Sequence, residues 1–227
     1  GCFILLNTGD KALVSKSKLL STIAYRINKS SSYALEGSIF VSGASMKWLK
    51  EELGIIKNVN DSQSLAASIK DNNGVYFVPA FTGLGAPHWR SDARGTIVGL
   101  TGSSGKAEIV RAALEAVAYQ SVDLFDAMSS DGQKPIIVKV DGAMSNNDWL
   151  IQFLSNISKT KIEKSYNSET TSQGAAILSS IGSGFLPSLK ESSKFWKLNK
   201  SYHPKMQSAE INKYRNGWNK AIKHTIM

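Results

Sequence analysis

The chain has 227 residues, 42% hydrophobic and 20% charged, and its 27 Lys and Arg against 18 Asp and Glu leave a net charge of +9. That length and balance suit one large domain or two small ones with a substantial core, and exclude an extended disordered chain. The longest strongly apolar run, residues 2–6, is far short of the ~20 needed to cross a bilayer, and the single cysteine can form no internal disulfide, so a cytoplasmic protein is expected.

The chain opens on Gly1-Cys2-Phe3-Ile4-Leu5-Leu6 with no initiator Met. Leu5 stands where a myristoylation signal would place Ser or Thr, so a lipid anchor is not favoured. The expectation is a piece of a longer protein that begins inside a strand. Residues 2–8, 19–27 and 33–41 are predicted strands in a meander, separated by Thr8-Gly9-Asp10 and a polar run at 28–32. Residues 42–53 and 62–70 are predicted helices, followed by a strand at 75–79. Residues 81–95 form a Gly- and Pro-rich loop too long for a simple connection, and 95–100 a further strand.

The strongest helical period follows. Ile109, Val110, Ala113, Leu114, Val117, Leu124, Phe125 and Met128 place a helix over 105–128, with Ser103 or Ser104 as its cap. A strand at 135–140, a helix at 147–157, a strand at 161–164 and a small-residue helix at 170–180 complete a strand–helix alternation. The pattern predicts one mixed sheet covered by helices, with residues 2–41 pairing with 134–140 and the long helix packed on that sheet.

The positive charge is concentrated at the end. From Ser188 to Met227 nine Lys and Arg face two acids, leaving +2 for the other 187 residues. In that tail Ile211, Tyr214, Trp218 and Ile222 make one apolar stripe, which predicts a docked helix with a solvated basic face. This distribution argues against a nucleic-acid partner.

Thr101-Gly102-Ser103-Ser104-Gly105-Lys106-Ala107 imitates a phosphate-binding loop. Leu100 occupies the first Gly position, however, and Ala107 cannot ligate magnesium, so a polar turn is predicted. His88, His203 and His224 are scattered without metal-ligand spacing, so no metal site is expected. His88 suits either a structural hydrogen bond or a substrate contact. Better candidates are the turn Val140-Asp141-Gly142-Ala143-Met144-Ser145-Asn146-Asn147 and its counterpart Phe40-Val41-Ser42-Gly43-Ala44. Each lets backbone approach a ligand at a helix N-terminus, and an ordinary connection reads the same way locally.

At these residues a resemblance emerges. Residues 81–89 (Phe-Thr-Gly-Leu-Gly-Ala-Pro-His-Trp) and 92–100 (Asp-Ala-Arg-Gly-Thr-Ile-Val-Gly-Leu) resemble the FGGY carbohydrate kinases, the glycerol kinases in particular. Residues 1–3 and 7–9, 33–40, 111–115 and 147–150 agree, so the likeness runs through residues 1–186, with a weaker echo at Tyr202–Pro204 and Trp218. It implies an α/β ribonuclease-H-like domain of the actin/hexokinase type, the second of two domains that hold ATP, Mg²⁺ and glycerol in their cleft. Residues 1–186 would be that domain, and 187–227 a basic extension whose terminal helix docks on it.

Carried over by position, adenosine contacts fall on Gly43, Lys47, Gly142, Ala143 and Asn147, and Phe3 packs on the glycerol carbons. Lys47 stands where Gln is frequent and Ala143 where Gly is frequent. The resemblance assigns no catalytic residue here: the base carboxylate, the Arg-Glu pair gripping glycerol and a second phosphate loop belong to a domain preceding Gly1. The expectation is weak nucleotide binding without turnover by the chain alone. Another FGGY polyol kinase, and a non-catalytic remnant with an anion-binding tail, remain as alternatives, and self-association stays open.

Overall fold

The computed structural model describes residues 1–227. Strands β1 (Cys2–Gly9), β2 (Leu20–Ile27) and β3 (Ser30–Ile39) form an antiparallel sheet in the order β1-β3-β2. The centre is therefore β3, not the middle strand of a meander. Asn28 and Lys29 both take positive φ (49° and 67°), the conformation of a tight two-residue hairpin between β2 and β3. Residues 10–19 are long enough to carry β1 to the far edge. One face of this sheet (Cys2, Ile4, Leu6, Leu35, Ile39) packs on Leu124, Ala127 and Met128 of helix α3 (Lys106–Ser130). Gly37 admits that approach, since a Cβ there would lie 2.6 Å from the Leu124 side chain.

The remaining elements surround α3. Helices α1 (Gly43–Glu51) and α2 (Asp61–Ala67) precede a two-stranded antiparallel ribbon, β4 (Tyr76–Val78) and β5 (Thr96–Val98). After α3 come β6 (Ile137–Val140), a 3₁₀ turn (Ala143–Asn146), α4 (Asp148–Ser158) and β7 (Lys161–Ser165). Helix α5 (Thr170–Gly182), the short α6 (Leu189–Ser192) with a 3₁₀ turn at Ser193–Phe195, β8 (Leu198–Tyr202) and α7 (Ser208–Ile226) end the chain. Helix α3 begins one residue later than its expected cap: Gly105 is the N-cap, and Glu108 accepts its N–H at 2.9 Å. Ser104 instead closes the preceding turn, accepting from the Thr101 N–H at 2.9 Å.

The expected single sheet is corrected. Strand β6 pairs in parallel with β7, which pairs antiparallel with β8, giving a separate mixed sheet in the order β6-β7-β8. Strand β1 does not reach β6, and a cavity of about 1100 Å³ lies between them. The α4 crossover commits one edge of the four-residue β6 to β7, and apolar periodicity carries no information about which strand takes the other edge.

A single large core joins α3, α4 and α7 with β4. Ile211, Tyr214, Trp218, Ala221 and Ile222 of α7 are buried in it, and Trp218 stacks on Tyr119 with ring centroids 5.2 Å apart. Inside this core Arg111 Nε donates to Glu115 at 2.8 Å, while Asn72 and Tyr119 donate to the other carboxylate oxygen at 2.8 and 3.0 Å. Burial pushes the Glu115 carboxyl up to about 7 in spite of these three donors. Arg111 also reaches the Ala66 carbonyl at 3.4 Å, the Ile69 carbonyl just past α2 at 2.6 Å and Tyr214 at 3.1 Å, so this one cluster ties α2 and α7 to α3.

Candidate functional site

Strand β6 delivers the chain to Asp141, whose carboxylate accepts from the backbone N–H of Thr170 at 3.2 Å and from its hydroxyl, fixing the start of α5. The next residue makes the turn. Gly142 has φ 80° and ψ 173°, a conformation essentially confined to glycine. Ser145 donates through its backbone N–H and its Oγ to the Gly142 carbonyl, at 3.0 and 2.7 Å, and this closes the 3₁₀ turn. Asn147 then caps α4, its Oδ1 accepting from the Leu150 N–H at 3.0 Å and its Nδ2 donating to Ser62 Oγ at 3.3 Å.

The turn before α1 lies against this one. A Cβ on Gly43 would sit 3.6 Å from Cγ and Sδ of Met144, so the two turns abut through the Gly43 backbone and the Met144 side chain. Phe3, Gly43, Gly142 and Ala143 all line the 1100 Å³ cavity between β1 and β6, where Ser42, Asp141 and Thr170 supply polar groups. Ala143 and Met144 also line a second, smaller pocket of about 310 Å³, which Asn147 borders. Ala143 is not among the positive-φ residues, so its methyl is accommodated without strain. Phe3 is 64% exposed, a free aromatic ring at the cavity wall.

Lys47 is not brought in. Its side chain is 71% exposed, pairs with Glu51 at 3.5 Å one turn along α1, and lines neither cavity. His88 is engaged elsewhere, its Nε2 lying 3.3 Å from Asp123 Oδ2, which also accepts from Trp218 Nε1 at 2.9 Å. Cys2 lines the large cavity, but burial pushes its thiol up, which disfavours the reactive thiolate.

Sequence reasoning missed the other wall of the small pocket, Val59, Asn60, Ser62 and Gln63. These residues lie some 85 positions from the turn they face: the Asp148 N–H donates to Gln63 Oε1 at 2.7 Å across that distance. The only local signal was a polar connection between two helices, the kind of segment that often carries function. No cluster of three or more His, Cys, Asp or Glu side chains is close enough to hold a metal ion, and no helix is long and apolar enough to cross a membrane.

The model for the FGGY family of carbohydrate kinases, C-terminal domain, matches residues 1–183. Glycerol kinases of Coxiella burnetii (strain RSA 493 / Nine Mile phase I) and Gluconobacter oxydans (strain 621H) are 47% and 48% identical over 226 and 227 residues. Each match covers 100% of this chain but only 45% and 44% of the relative, so the chain spans about half the length of the curated relatives it matches. Among solved structures, a Plasmodium falciparum glycerol kinase with ADP superposes with a TM-score of 0.90 at 38% identity, covering 99% of this chain and 45% of that one. A xylulose kinase from Lactobacillus acidophilus shares the fold, with a TM-score of 0.81 at 22% identity over 97% of this chain and 44% of its own. The architecture is thus the α/β, actin/hexokinase-type fold of these kinases. Matched by the family model over 1–183 and by glycerol kinases over its full length, the chain belongs to the FGGY family of carbohydrate kinases, of which it carries the C-terminal domain.

Proposed function

We propose that this chain is the nucleotide-holding half of an ATP-dependent glycerol kinase, with residues 1–186 as the domain and 187–227 as its docked extension. The observation that carries the reading is the contact between the Gly43 turn and the Met144 turn, with a pocket on either side of Ala143. In this reading the base occupies the smaller pocket, and the ribose and phosphates run past Ala143 and Gly142 into the larger cavity. There the exposed backbone of two turns at helix starts favours an anion. The exposed ring of Phe3 would cover the carbons of a small polyol. The 47–48% identity to glycerol kinases, against 22% to a xylulose kinase, favours glycerol as that polyol.

The reaction would be in-line transfer of the γ-phosphoryl group to a terminal hydroxyl. Magnesium would arrive with the nucleotide phosphates and neutralise their charge. The part of this chain is to bind and orient the nucleotide. No residue lining the cavity is assigned to take the hydroxyl proton, and a missing general base typically costs ~10²–10⁴-fold. The chain alone should therefore bind ADP weakly and make no glycerol 3-phosphate.

The test is ADP titration into the chain and into Gly43→Phe, whose ring would fill the contact between the turns, with a parallel assay in MgATP and glycerol. ADP binding lost in the variant, with no turnover in either protein, is the expected result. Unchanged ADP binding by Gly43→Phe, or turnover that follows the isolated chain through purification, would overturn the reading.

A further inference from the structure

Five polar side chains line the small pocket, and three of them are already engaged within the protein. Ser62 Oγ donates to the Val59 carbonyl at 2.6 Å and accepts from Asn147 at 3.3 Å. Gln63 Oε1 accepts from the Asp148 N–H at 2.7 Å, and Asn147 Oδ1 caps α4 at 3.0 Å. Asn60 and Asn146 differ: both line the pocket, both are exposed, and neither side chain takes part in any hydrogen bond within the chain. Although Asn60 stands at the head of α2, its side chain caps nothing. Two carboxamides thus border the pocket without a partner inside the chain, one on each wall. Val59 and Met144 supply apolar surface beside them.

We propose that Asn60 and Asn146 read the edge of the nucleotide base and select adenine over guanine. This inference rests on the nucleotide-site reading above. Adenine presents a donor beside an acceptor, N6–H₂ next to N1 or N7. A carboxamide answers such an edge with its own acceptor and donor in a bidentate pair. Guanine offers two acceptors, O6 and N7, on one edge and two adjacent donors, N1–H and N2–H₂, on the other. A single carboxamide satisfies only part of either edge, and an unmatched polar group in a partly desolvated pocket carries a penalty. An aspartate at the same place is an acceptor only, and it complements the guanine donors instead.

The experiment is calorimetric titration of ADP and GDP into the chain and into Asn60→Ala, Asn146→Ala and Asn146→Asp, with Gly43→Phe alongside. Thermal melting serves as the control for folding. Because neither asparagine side chain is bonded within the protein, these substitutions should leave the melting temperature unchanged. The expected result is a preference for ADP that falls about tenfold or more in at least one alanine variant and moves toward GDP in Asn146→Asp. If Gly43→Phe abolishes ADP binding while the ADP-to-GDP ratio stays constant across all three asparagine variants, base reading by these residues is overturned and the site stands. If Gly43→Phe also leaves ADP binding intact, the site itself has been misread, and the inference falls with it.

Discussion

Gly142 is the residue on which the site turns. With φ at 80° and ψ at 173° it occupies a region that other residues enter only at a cost of ~1–3 kcal/mol. Beyond its two chain neighbours no residue comes within 4 Å of where a Cβ would stand, so that cost is conformational and no repacking can relieve it. Gly142→Ala should lower unfolding free energy by about 1–3 kcal/mol in urea and weaken ADP binding, because the 3₁₀ turn and the Ala143 wall depend on that backbone. Ala143→Gly is the matched control. Its site tolerates either residue, so it should shift stability by about 1 kcal/mol or less and leave binding in place. A Gly142→Ala protein as stable as the parent would mean that the turn is not held as described. The turn at Gly142 was legible in the sequence as a hydrophobic strand running into Asp141-Gly142 ahead of a helix, a pattern that an ordinary connection shares. Asn60 and Gln63 were not legible. Their place beside the turn depends on which loop that turn meets, and that is settled by α2 and α4 packing against α3, far from either segment in the chain.

At the scale of elements, α4 is bound to β8 by the Ser155 hydroxyl, which donates to the Tyr202 carbonyl at 3.1 Å, and by one carboxylate. Asp148 accepts from Lys200 Nζ at 2.5 Å and from the Tyr202 hydroxyl at 2.6 Å, while its own N–H reaches Gln63. The hydrogen bond from Lys200, then that from Tyr202, hold the Asp148 carboxyl below its ordinary value. A depressed carboxylate contributes stability that is fully present above the unfolded-state value, 3.8, and is lost as pH falls through the lower folded-state value. Asp148→Asn should therefore leave a shallower loss of stability with acidification below about pH 4 than the parent shows, measured by urea midpoint against pH. Parallel acid limbs in the two proteins would remove Asp148 from the account. Strand β8 itself escaped the sequence reading because Leu198-Asn199-Lys200-Ser201-Tyr202 is a polar edge strand with one apolar anchor. The long helices were plain, since an apolar stripe sustained over many residues has no other stable use. Strand pairing was not, because a strand shows in its own residues which face is apolar but not which neighbour lies at its edge.

At the scale of the whole molecule, the basic tail decides between a docked extension and a free anion-binding arm. Its charges are on the outside, but its apolar side chains are inside: Ile211, Tyr214, Trp218, Ala221 and Ile222 belong to the core that α3 and α4 build. Burying a large apolar side chain contributes about 1.5–3 kcal/mol, so four of these together rival the ~5–15 kcal/mol by which a typical domain is stable. Trp218 Nε1 also donates to Asp123 at 2.9 Å, and Tyr214 meets Arg111 in the buried cluster around Glu115. Deleting residues 187–227 would uncover that cluster, remove the outer strand of the β6-β7-β8 sheet and leave Tyr119 without its stacking partner. A chain ending at residue 186 should consequently lack a cooperative thermal transition. Lys220→Gln with Lys223→Gln, both on the exposed face, should shift stability by about 0.5 kcal/mol or less each and leave ADP binding unaltered. A free arm makes the opposite forecast: the truncated chain would melt cooperatively near the parent's temperature, and only binding to a polyanion such as heparin would be lost. Differential scanning calorimetry of the truncated and doubly substituted chains, with heparin titration of each, separates the two, and a cooperative transition in the truncated chain would refute the docked arrangement.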